Sequence, residues 1–193
     1  MSHTSRSAAR PLIDRAFLRR DAETVARDLL GATLAVVGAD GVRRVRLVET
    51  EAYVGSHDAA CHAARGRTAR TAVMFGPAGH AYVYLVYGLH HMLNVVTGPD
   101  GDPQAVLLRA AEPLDGTAAP RACRGPGLLA AHLGITRADN GVDLCAGDGR
   151  ADADARAWIE EGAPPERIGV SARIGVAYAG EWAGAPLRFF DAD

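Results

Sequence analysis

Two carboxylates and one arginine in apolar segments are the first candidates for chemistry. Glu49 and Glu51 stand two residues apart in VRRVRLVETEAY. If this segment is a strand, both carboxylates lie on one face, because side chains alternate between faces. A carboxylate held beside a substrate can act as a general base or stabilise a developing positive charge. The alternative is a solvated strand end, since glutamate is rarely buried unless it is paired.

Arg109 argues against a simple solvated end. It stands in QAVLLRAAEP among apolar neighbours. A guanidinium is costly in a core unless a carboxylate or a water molecule contacts it. A glutamate facing Arg109 could form a structural ion pair, or the two groups could hold a water molecule between them. The residues alone leave both alternatives open.

The segment YVYLVYG holds three of the five tyrosines. In a strand, Tyr82 and Tyr84 share one face, whereas Tyr87 falls out of phase beside Gly88. Tyrosine favours strands, so sheet packing is one explanation for this cluster. A phenol at a glycine turn is instead expected at the surface, where it can contact a partner. Packing and contact both stay open for this segment.

The histidines and cysteines do not form a recognisable metal site. His57, Cys61 and His62 lie close in sequence, but no spacing matches a zinc site. The chain also lacks GxxxxGK and the paired HxE and PCxxC motifs of zinc deaminases. We therefore expect no metal and no cofactor. The cysteines, without any CxxC, predict reduced thiols in a cytosolic protein; they are Cys61, Cys123 and Cys145.

The elements that position these residues are mostly strands. We expect a strand, a turn and a strand in ATLAVV, GADG and VRRVRLVETEAY, in that order. Two further strands, joined near Gly88, are expected in AYVYLVYGLHHMLNVVTG. QAVLLRAAEP, RIGVSARIGV and PLRFF are further strand-like pieces. Helices are expected from Asp21 to Leu30 and in GPGLLAAHLG. If extension continues through the second strand, its shared face carries Val45, Leu47, Glu49, Glu51 and Tyr53.

This pattern predicts an α+β fold. We expect a single domain with a curved, largely antiparallel β-sheet, peripheral helices and a protruding β-hairpin. We expect residues 1–10 to form a disordered arm and residues 11–193 to form the domain itself. Hydrophobic content of 48% and charged content of 23% are ordinary for a globular protein, and no apolar run is long enough to span a membrane.

The charge is unevenly distributed. A net charge of −2 argues mildly against nucleic acid, yet ARGRTAR holds three arginines and no acid. A local basic surface is what a phosphate backbone responds to. The amides at the start of the second helix, near Gly127, are another candidate phosphate contact. The candidate backbone contacts are therefore Arg65, Arg67, Arg70 and Gly127.

Six strings occur in order along the chain: VETEAYVG, HAARGRTART, MFGPAGHAYVYLVYGLHHMLNVV, AVLLRAAEPLDG, RGPGLLAAHLGI and ARIGVAYAGEW. Each is unspecific alone, but together they resemble the alkyladenine (3-methyladenine) DNA glycosylase family, from about Leu12 to Phe190. The resemblance implies that Glu51, rather than Glu49, is the catalytic glutamate and that Arg109 helps to hold the water. It implies intercalation into DNA by Tyr87, and a base pocket made by Tyr53, His62, Tyr84 and Asn94.

The function that the resemblance implies is base excision repair. Such an enzyme flips an alkylated or deaminated purine out of double-stranded DNA, because a stacked nucleotide is inaccessible. Water activated by Glu51 then hydrolyses the N-glycosidic bond and leaves an abasic site. The chain has no lysine among its 21 basic residues, so a Schiff base through a side-chain amine is excluded and we expect a monofunctional enzyme. We expect a monomer without membrane contact, in the bacterial cytoplasm at the nucleoid.

Two departures from the family and two rival functions stay open. Leu128 stands where the family often has lysine, and Thr71 where asparagine is common, so DNA affinity is expected to be weak. One rival is a nucleic-acid-binding module of the same fold without catalysis, which would not need Glu51. The other is a hydrolase of free nucleosides, which would not need Tyr87 at an exposed tip.

Overall fold

The computed structural model describes residues 11–114, 116, 122–145 and 155–193. The predicted arm at residues 1–10 lies outside this part of the chain. All strand pairs within the described residues are antiparallel, and the main path through the sheet runs β3-β4-β5-β2-β1-β6. The strands are β1 (Thr33–Gly38), β2 (Gly41–Tyr53), β3 (Ala81–Val86), β4 (His90–Thr97), β5 (Gln104–Pro113), β6 (Ala157–Glu160), β7 (Ile168–Ser171) and β8 (Arg188–Asp191).

The described helices are few and peripheral. The α-helices are α1 (Arg15–Leu18), α2 (Ala22–Asp28) and α3 (Pro126–Leu133), and short 3₁₀ segments lie at His62–Arg65, Ala72–Phe75, Arg137–Asp139 and Ala177–Gly184. The Asp21 carboxylate caps α2 by accepting a hydrogen bond from the Thr24 amide at 2.9 Å. Gly134 ends α3 in the left-handed conformation. Both predicted helices and the α+β fold with a curved antiparallel sheet are confirmed.

The main core lies between the sheet and two of these helices. Helix α2 packs on β2 and β5, and α3 packs on β4 and β5. The side chains that meet there are aliphatic and fully buried, as the alternating pattern of the strands requires. Those from the helices include Val25, Leu29, Leu129 and Leu133, and those from the strands include Val45, Leu47, Val95, Val106 and Leu108.

A break in the register of β2 and β5 changes which residues face this core. Leu47 pairs with Ala111 and Glu49 pairs with Ala110, so Val48 is an extra residue in β2. Thr50 then pairs with Leu108, which leaves Arg109 as the extra residue in β5. Such a bulge shifts the alternation of side chains by one position.

The expectation of one continuous face along β2 is therefore wrong. Val45 and Leu47 lie in the main core, and beyond the bulge Ala52 takes over that side. The Thr50 hydroxyl also points there and donates a hydrogen bond to the Ala26 carbonyl of α2 at 2.7 Å. Glu49, Glu51 and Tyr53 consequently face the opposite side of the sheet, away from the aliphatic core.

The same bulge divides the edge partners of β2. The first half of β2 pairs with β1, and residues 49–51 pair instead with β8. In this second ladder Glu51 stands directly opposite Arg188. Strand β7 completes this side arm by pairing with β8. A second basic residue, after Arg109, is thus brought to the level of the two glutamates.

The hairpin of β3 and β4 ends in a tight turn. The Leu89 amide donates to the Val86 carbonyl at 3.1 Å, and the two residues between them have positive φ, 52° at Tyr87 and 70° at Gly88. Tyr87 is the single non-glycine residue with positive φ among the described residues, and its side chain is 92% exposed. The off-phase position expected for Tyr87 is confirmed.

Two details of the strand prediction were wrong. The second RIGV, residues 173–176, forms no strand, and its Arg173 side chain and Ile174 amide bind the end of β2 instead. Strand β6 was not expected, since AWIE is short and is held by partners distant in sequence, through its pairing with β1 and a bridge between Glu160 and Leu12. None of the described helices is long and apolar enough to cross a membrane.

A close crossing of two chain segments generates a stability prediction. A Cβ on Gly162 would lie 1.8 Å from the Gly31 carbonyl oxygen, so Gly162→Ala must push two backbones apart. We expect a loss of at least about 1–3 kcal/mol in the free energy of unfolding, measured by urea denaturation. Gly184→Ala is the matched control, because nothing lies within 4 Å of its Cβ position. Equal stability of the two variants would contradict the crossing.

Candidate functional site

A cavity of about 510 Å³ opens on the side of the sheet opposite the aliphatic core. We call it the aromatic cavity, since three tyrosines of β2 and β3 line it together with the segment around residues 60–74 and the loop at 174–178. It brings together all four residues predicted for the base pocket and two further predicted site residues. Those that line it are Tyr53, His62, Tyr84, Asn94, Arg109 and the hairpin residue Tyr87.

Glu51 adjoins this cavity and is fully buried. Its Oε1 accepts a hydrogen bond from the Ile174 amide at 2.8 Å, and its Oε2 accepts one from the Tyr53 hydroxyl at 3.0 Å. The Arg109 guanidinium lies 3.3 Å from Oε1. All three partners line the aromatic cavity, so Glu51 is one side chain removed from whatever occupies it.

Glu49 binds two arginines and does not line the aromatic cavity. Arg109 donates from Nε to Glu49 Oε1 at 2.7 Å, and Arg188 donates to the same oxygen at 2.6 Å. Arg188 is fixed further by its hydrogen bond to the Ser171 hydroxyl at 3.0 Å. The sequence left open an ion pair or a shared water; the ion pair is present, and Arg109 forms it chiefly with Glu49.

The two carboxylates have opposite electrostatic environments. Burial raises the pKa of Glu51 and the Glu49 charge adds to this, while Arg109, the Ile174 amide and Tyr53 offset only part of the rise. Burial also acts on Glu49, but its hydrogen bonds and ion pairs with Arg188 and Arg109 hold the pKa of Glu49 below its usual range. Glu51 is therefore the more basic of the two.

The aromatic wall is held in its neutral form. Burial, together with the charges of Arg70 and Arg65, lowers the pKa of His62 to about 4. Burial and neighbouring groups also raise the pKa of the Tyr53 and Tyr84 phenols. His62 Nδ1 lies 2.9 Å from the Tyr82 hydroxyl, and its ring packs edge-on against Tyr84 at 4.5 Å between centroids.

Asn94 closes the wall from β4. Its side-chain amide donates to the Tyr82 carbonyl at 3.0 Å, in a position where the residue is buried. This bond fixes the plane of the Asn94 side-chain amide, and the edge of that amide lies beside the aromatic cavity. A fixed amide can accept or reject hydrogen bonds of a ligand edge.

A second, wider cavity of about 970 Å³ lies on the other side of Arg109. It shares Arg109 and Ile174 with the aromatic cavity, so the two cavities meet at these residues. Acids and arginines balance in its lining, so it offers no net positive surface for a phosphate. Its charged lining is Arg46, Arg109, Arg124, Arg188, Glu49, Glu112, Asp191 and Asp193.

The sequence-based reasoning missed a buried ion pair behind the cavity. Arg173 and Asp58 are both fully buried, and Arg173 donates to Asp58 Oδ1 at 2.9 Å and to the Ala52 carbonyl at 2.9 Å. The same guanidinium lies 4.7 Å from the centroid of the Tyr53 ring. Arg173 thus anchors both Tyr53 and the loop whose next residue, Ile174, donates to Glu51. Its signal was an arginine within the apolar ARIGV, as at Arg109.

The four candidate backbone contacts separate in space. Arg65 and Arg67 are exposed and form no hydrogen bond, ion pair or ring contact with the described residues. Arg70 is also exposed, but it lines the aromatic cavity. At Gly127, in the first turn of α3, a Cβ would lie 3.1 Å from the His90 side chain. Close packing on the hairpin thus also accounts for this glycine.

The departures at positions 71 and 128 have different surroundings. The Thr71 hydroxyl is buried and donates to the Gly66 carbonyl at 3.0 Å, so it organises the loop that carries the arginines. Leu128 is 53% exposed on α3.

Among the described residues no cluster of three or more histidines, cysteines and acids could hold a metal ion. Burial raises the pKa of Cys61 and of Cys145 to about 11.

Comparison with known proteins gives a consistent result. The family model for methylpurine-DNA glycosylase matches residues 16–193. A protein of Methanocella arvoryzae is 47% identical over 192 residues, which cover 94% of this chain and 92% of its own length. A protein of Myxococcus xanthus is 52% identical over 180 residues (92% and 88%), and one of Legionella pneumophila is 44% identical over 185 (94% and 94%). All three carry the name "Putative 3-methyladenine DNA glycosylase".

The opposite environments of the two glutamates predict opposite effects on stability. Glu51→Gln removes a buried charge, so at neutral pH it should stabilise the protein by the order of 1 kcal/mol, or about 2–4 °C in Tm. Because the pKa of Glu51 is raised in the folded state, this gain should shrink as the pH falls through that pKa, where wild-type Glu51 takes up a proton.

Glu49→Gln is the matched comparison. It removes the partner of two arginines and should destabilise the protein by about 1–3 kcal/mol at neutral pH. This loss should diminish as the pH falls through the lowered pKa of Glu49, because the wild-type carboxylate is then protonated too. Thermal unfolding from about pH 2 to pH 8 measures both effects. A lower Tm for Glu51→Gln throughout would contradict the raised pKa.

Proposed function

Because the chain belongs to the methylpurine-DNA glycosylase family, we propose that it removes methylated purines as a monofunctional hydrolase with Glu51 at its centre. The single observation that carries this proposal is the buried Glu51 carboxylate, fixed by three groups that also line an aromatic cavity. The cavity would receive the base, and Glu51 would lie near the sugar.

Cleavage of the N-glycosidic bond develops positive charge on the sugar. A buried carboxylate stabilises that charge strongly, because little water screens it. Its raised pKa also makes Glu51 a better base for the proton of an attacking water. Arg109 is anchored by Glu49, so it can orient the water and Glu51 without fully neutralising Glu51.

The carboxylate of Glu51 is out of contact with solvent in the free protein. Water would therefore reach it when one of its partners, such as Tyr53 or Arg109, moves aside. Catalytic hydrogen bonds often form fully only in the complex with substrate, so the free geometry is compatible with the role. Entry of the nucleotide into the aromatic cavity would supply the displacement.

The aromatic cavity suits a flat base. Tyr84 and Tyr53 offer electron-rich rings, with His62 and Asn94 beside them for edge contacts. Methylation makes many purines cationic, and a cation over such a ring gains about 0.5–2 kcal/mol. Flipping would bring the damaged base into this cavity, and loss of stacking in the duplex would be compensated at the hairpin tip.

Tyr87 is the candidate for that compensation. Its ring is 92% exposed at the end of the hairpin, and it also reaches the rim of the aromatic cavity. A ring at the rim can fill the gap in the duplex while the extruded base lies beside it. Leu89, which is 76% exposed in the same turn, adds apolar surface.

Water is the nucleophile that fits the composition. The chain has no lysine, so no side-chain amine can form a Schiff base with the sugar. The product would be an abasic site in double-stranded DNA. Exposed Arg65 and Arg67 would contact phosphates, so binding should weaken steeply with salt. The protein would act as a monomer at the nucleoid of a bacterial cytoplasm.

The two rival functions account for less of the site. A binding module without catalysis has no use for a buried, destabilising Glu51. A hydrolase of free nucleosides has no use for an exposed Tyr87. Deaminated purines such as hypoxanthine are neutral and would need protonation before they leave.

The direct test is single-turnover release of 3-methyladenine from alkylated duplex DNA. Glu51→Gln should reduce release by at least about 10²-fold, because it removes both the base and the stabilising charge. Glu112→Gln is the control, since Glu112 is exposed and pairs with Arg46 on the same sheet. Borohydride should trap no covalent enzyme–DNA product.

Each other outcome has a distinct meaning. Equal release by wild type and Glu51→Gln would leave the activity but remove the mechanism. No release by either, with DNA binding intact, would favour the binding module or another substrate. Faster cleavage of the free nucleoside than of duplex DNA would favour the nucleoside hydrolase.

A pH profile tests the role of Glu49. Its charge contributes to the raised pKa of Glu51, so Glu49→Gln should move the acidic limb of kcat/KM to lower pH. The plateau rate should also fall, because Arg109 loses its main anchor. A lower rate with an unmoved acidic limb would mean that Glu49 acts through its anchoring of Arg109 and not on the pKa of Glu51.

A further inference from the structure

Arg70 differs from the other arginines of its segment. Its guanidinium carbon lies 5.1 Å from the centroid of the Tyr84 ring, and its NH2 lies 3.4 Å from His62 Nε2. Arg65 and Arg67 contact neither residue. No described carboxylate lies within ion-pair distance of Arg70, so its charge faces the aromatic cavity without a neutralising partner.

This placement puts a cation of the protein itself, Arg70, over the Tyr84 ring on which a substrate would stack. The proposed function, on which this inference rests, has a flipped base stacking on Tyr84. A cationic base gains from the ring because the ring face is negative, and a guanidinium gains for the same reason. In the free protein that attraction is already satisfied by Arg70.

We propose that Arg70 is a specificity-determining residue that disfavours cationic bases relative to neutral ones. A cationic base competes with Arg70 for the Tyr84 ring and meets a like charge at close range. A neutral purine meets no repulsion, and its N7 or O6 can accept hydrogen bonds from a guanidinium. N7-methylation of guanine adds the charge and removes the N7 acceptor together.

The state of His62 is consistent with this arrangement. The Arg70 charge helps to keep the pKa of His62 low, after the larger effect of burial. The groups that face the His62 ring are Arg70, the Tyr82 hydroxyl and Tyr84, with Arg65 nearby. At neutral pH His62 is therefore uncharged, and the described cation that lies over the Tyr84 ring is Arg70.

The test compares two damaged bases in one duplex sequence, 7-methylguanine as the cation and hypoxanthine as the neutral base. Arg70→Gln should raise the ratio of single-turnover rates, cationic over neutral, by about two- to fivefold. Arg70→Lys keeps the charge and should stay nearer the wild-type ratio. Arg67→Gln is the matched control from the same segment and should change both rates in parallel.

A different result would overturn the inference. If Arg70→Gln lowers both rates equally and reduces the salt dependence of binding, Arg70 is a phosphate contact. Titration of the free protein by NMR gives an independent check: the pKa of His62 should rise in Arg70→Gln and stay unchanged in Arg67→Gln. An unchanged His62 in Arg70→Gln would mean that the guanidinium is not beside it.

The two proposals can fail separately. If the wild type releases no base from DNA, the proposed function fails, and binding of the nucleosides 7-methylguanosine and inosine still decides the role of Arg70. Binding is followed by the NMR signals of His62 and Tyr84. Arg70→Gln should strengthen binding of the cationic nucleoside alone. If neither nucleoside perturbs these signals, the cavity accepts no purine and the inference falls as well.

Discussion

The extra residue Val48 in β2 determines the rest of the site. Without it, the alternation that buries Val45 and Leu47 would carry Glu49 and Glu51 into the aliphatic core. Two carboxylates there would each need a partner, at a cost that the core cannot meet. One bulge turns both glutamates to the opposite side while Ala52 continues the core. The matching extra residue in β5 is Arg109, so the irregularity brings the two carboxylates and the guanidinium of the site together.

The charges then divide unequally. Glu49 holds Arg109 and Arg188 through one oxygen, whereas Glu51 receives a longer ion pair, one amide and one phenol. A carboxylate that took both arginines would be a stable anion with little basicity. Glu49 is that stable anion, and Glu51 has a raised pKa, which costs stability. Arg173 and Asp58 hold the amide and the phenol in place from behind.

The sequence predicted what depends on neighbours along the chain. Asp21 capping α2, the strand pair around GADG and the off-phase Tyr87 all follow from local alternation and turn residues. The phase change at Val48 depends on the register with β5, some sixty positions away, and no local pattern marks it. The Arg173–Asp58 pair joins residues 115 apart. The distinction of Arg70 from Arg65 and Arg67 depends on where Tyr84 and His62 fold.

The conformation of Tyr87 shifts a cost from one process to another. A left-handed backbone is unfavourable for a tyrosine by about 1–2 kcal/mol, and asparagine or glycine would occupy the turn more easily. That cost is incurred when the hairpin folds, whether or not DNA is present. The backbone of the tip is then already in its turn conformation, so its ordering adds nothing to the entropy lost on contact, and the exposed side chain of Tyr87 is what remains to be ordered.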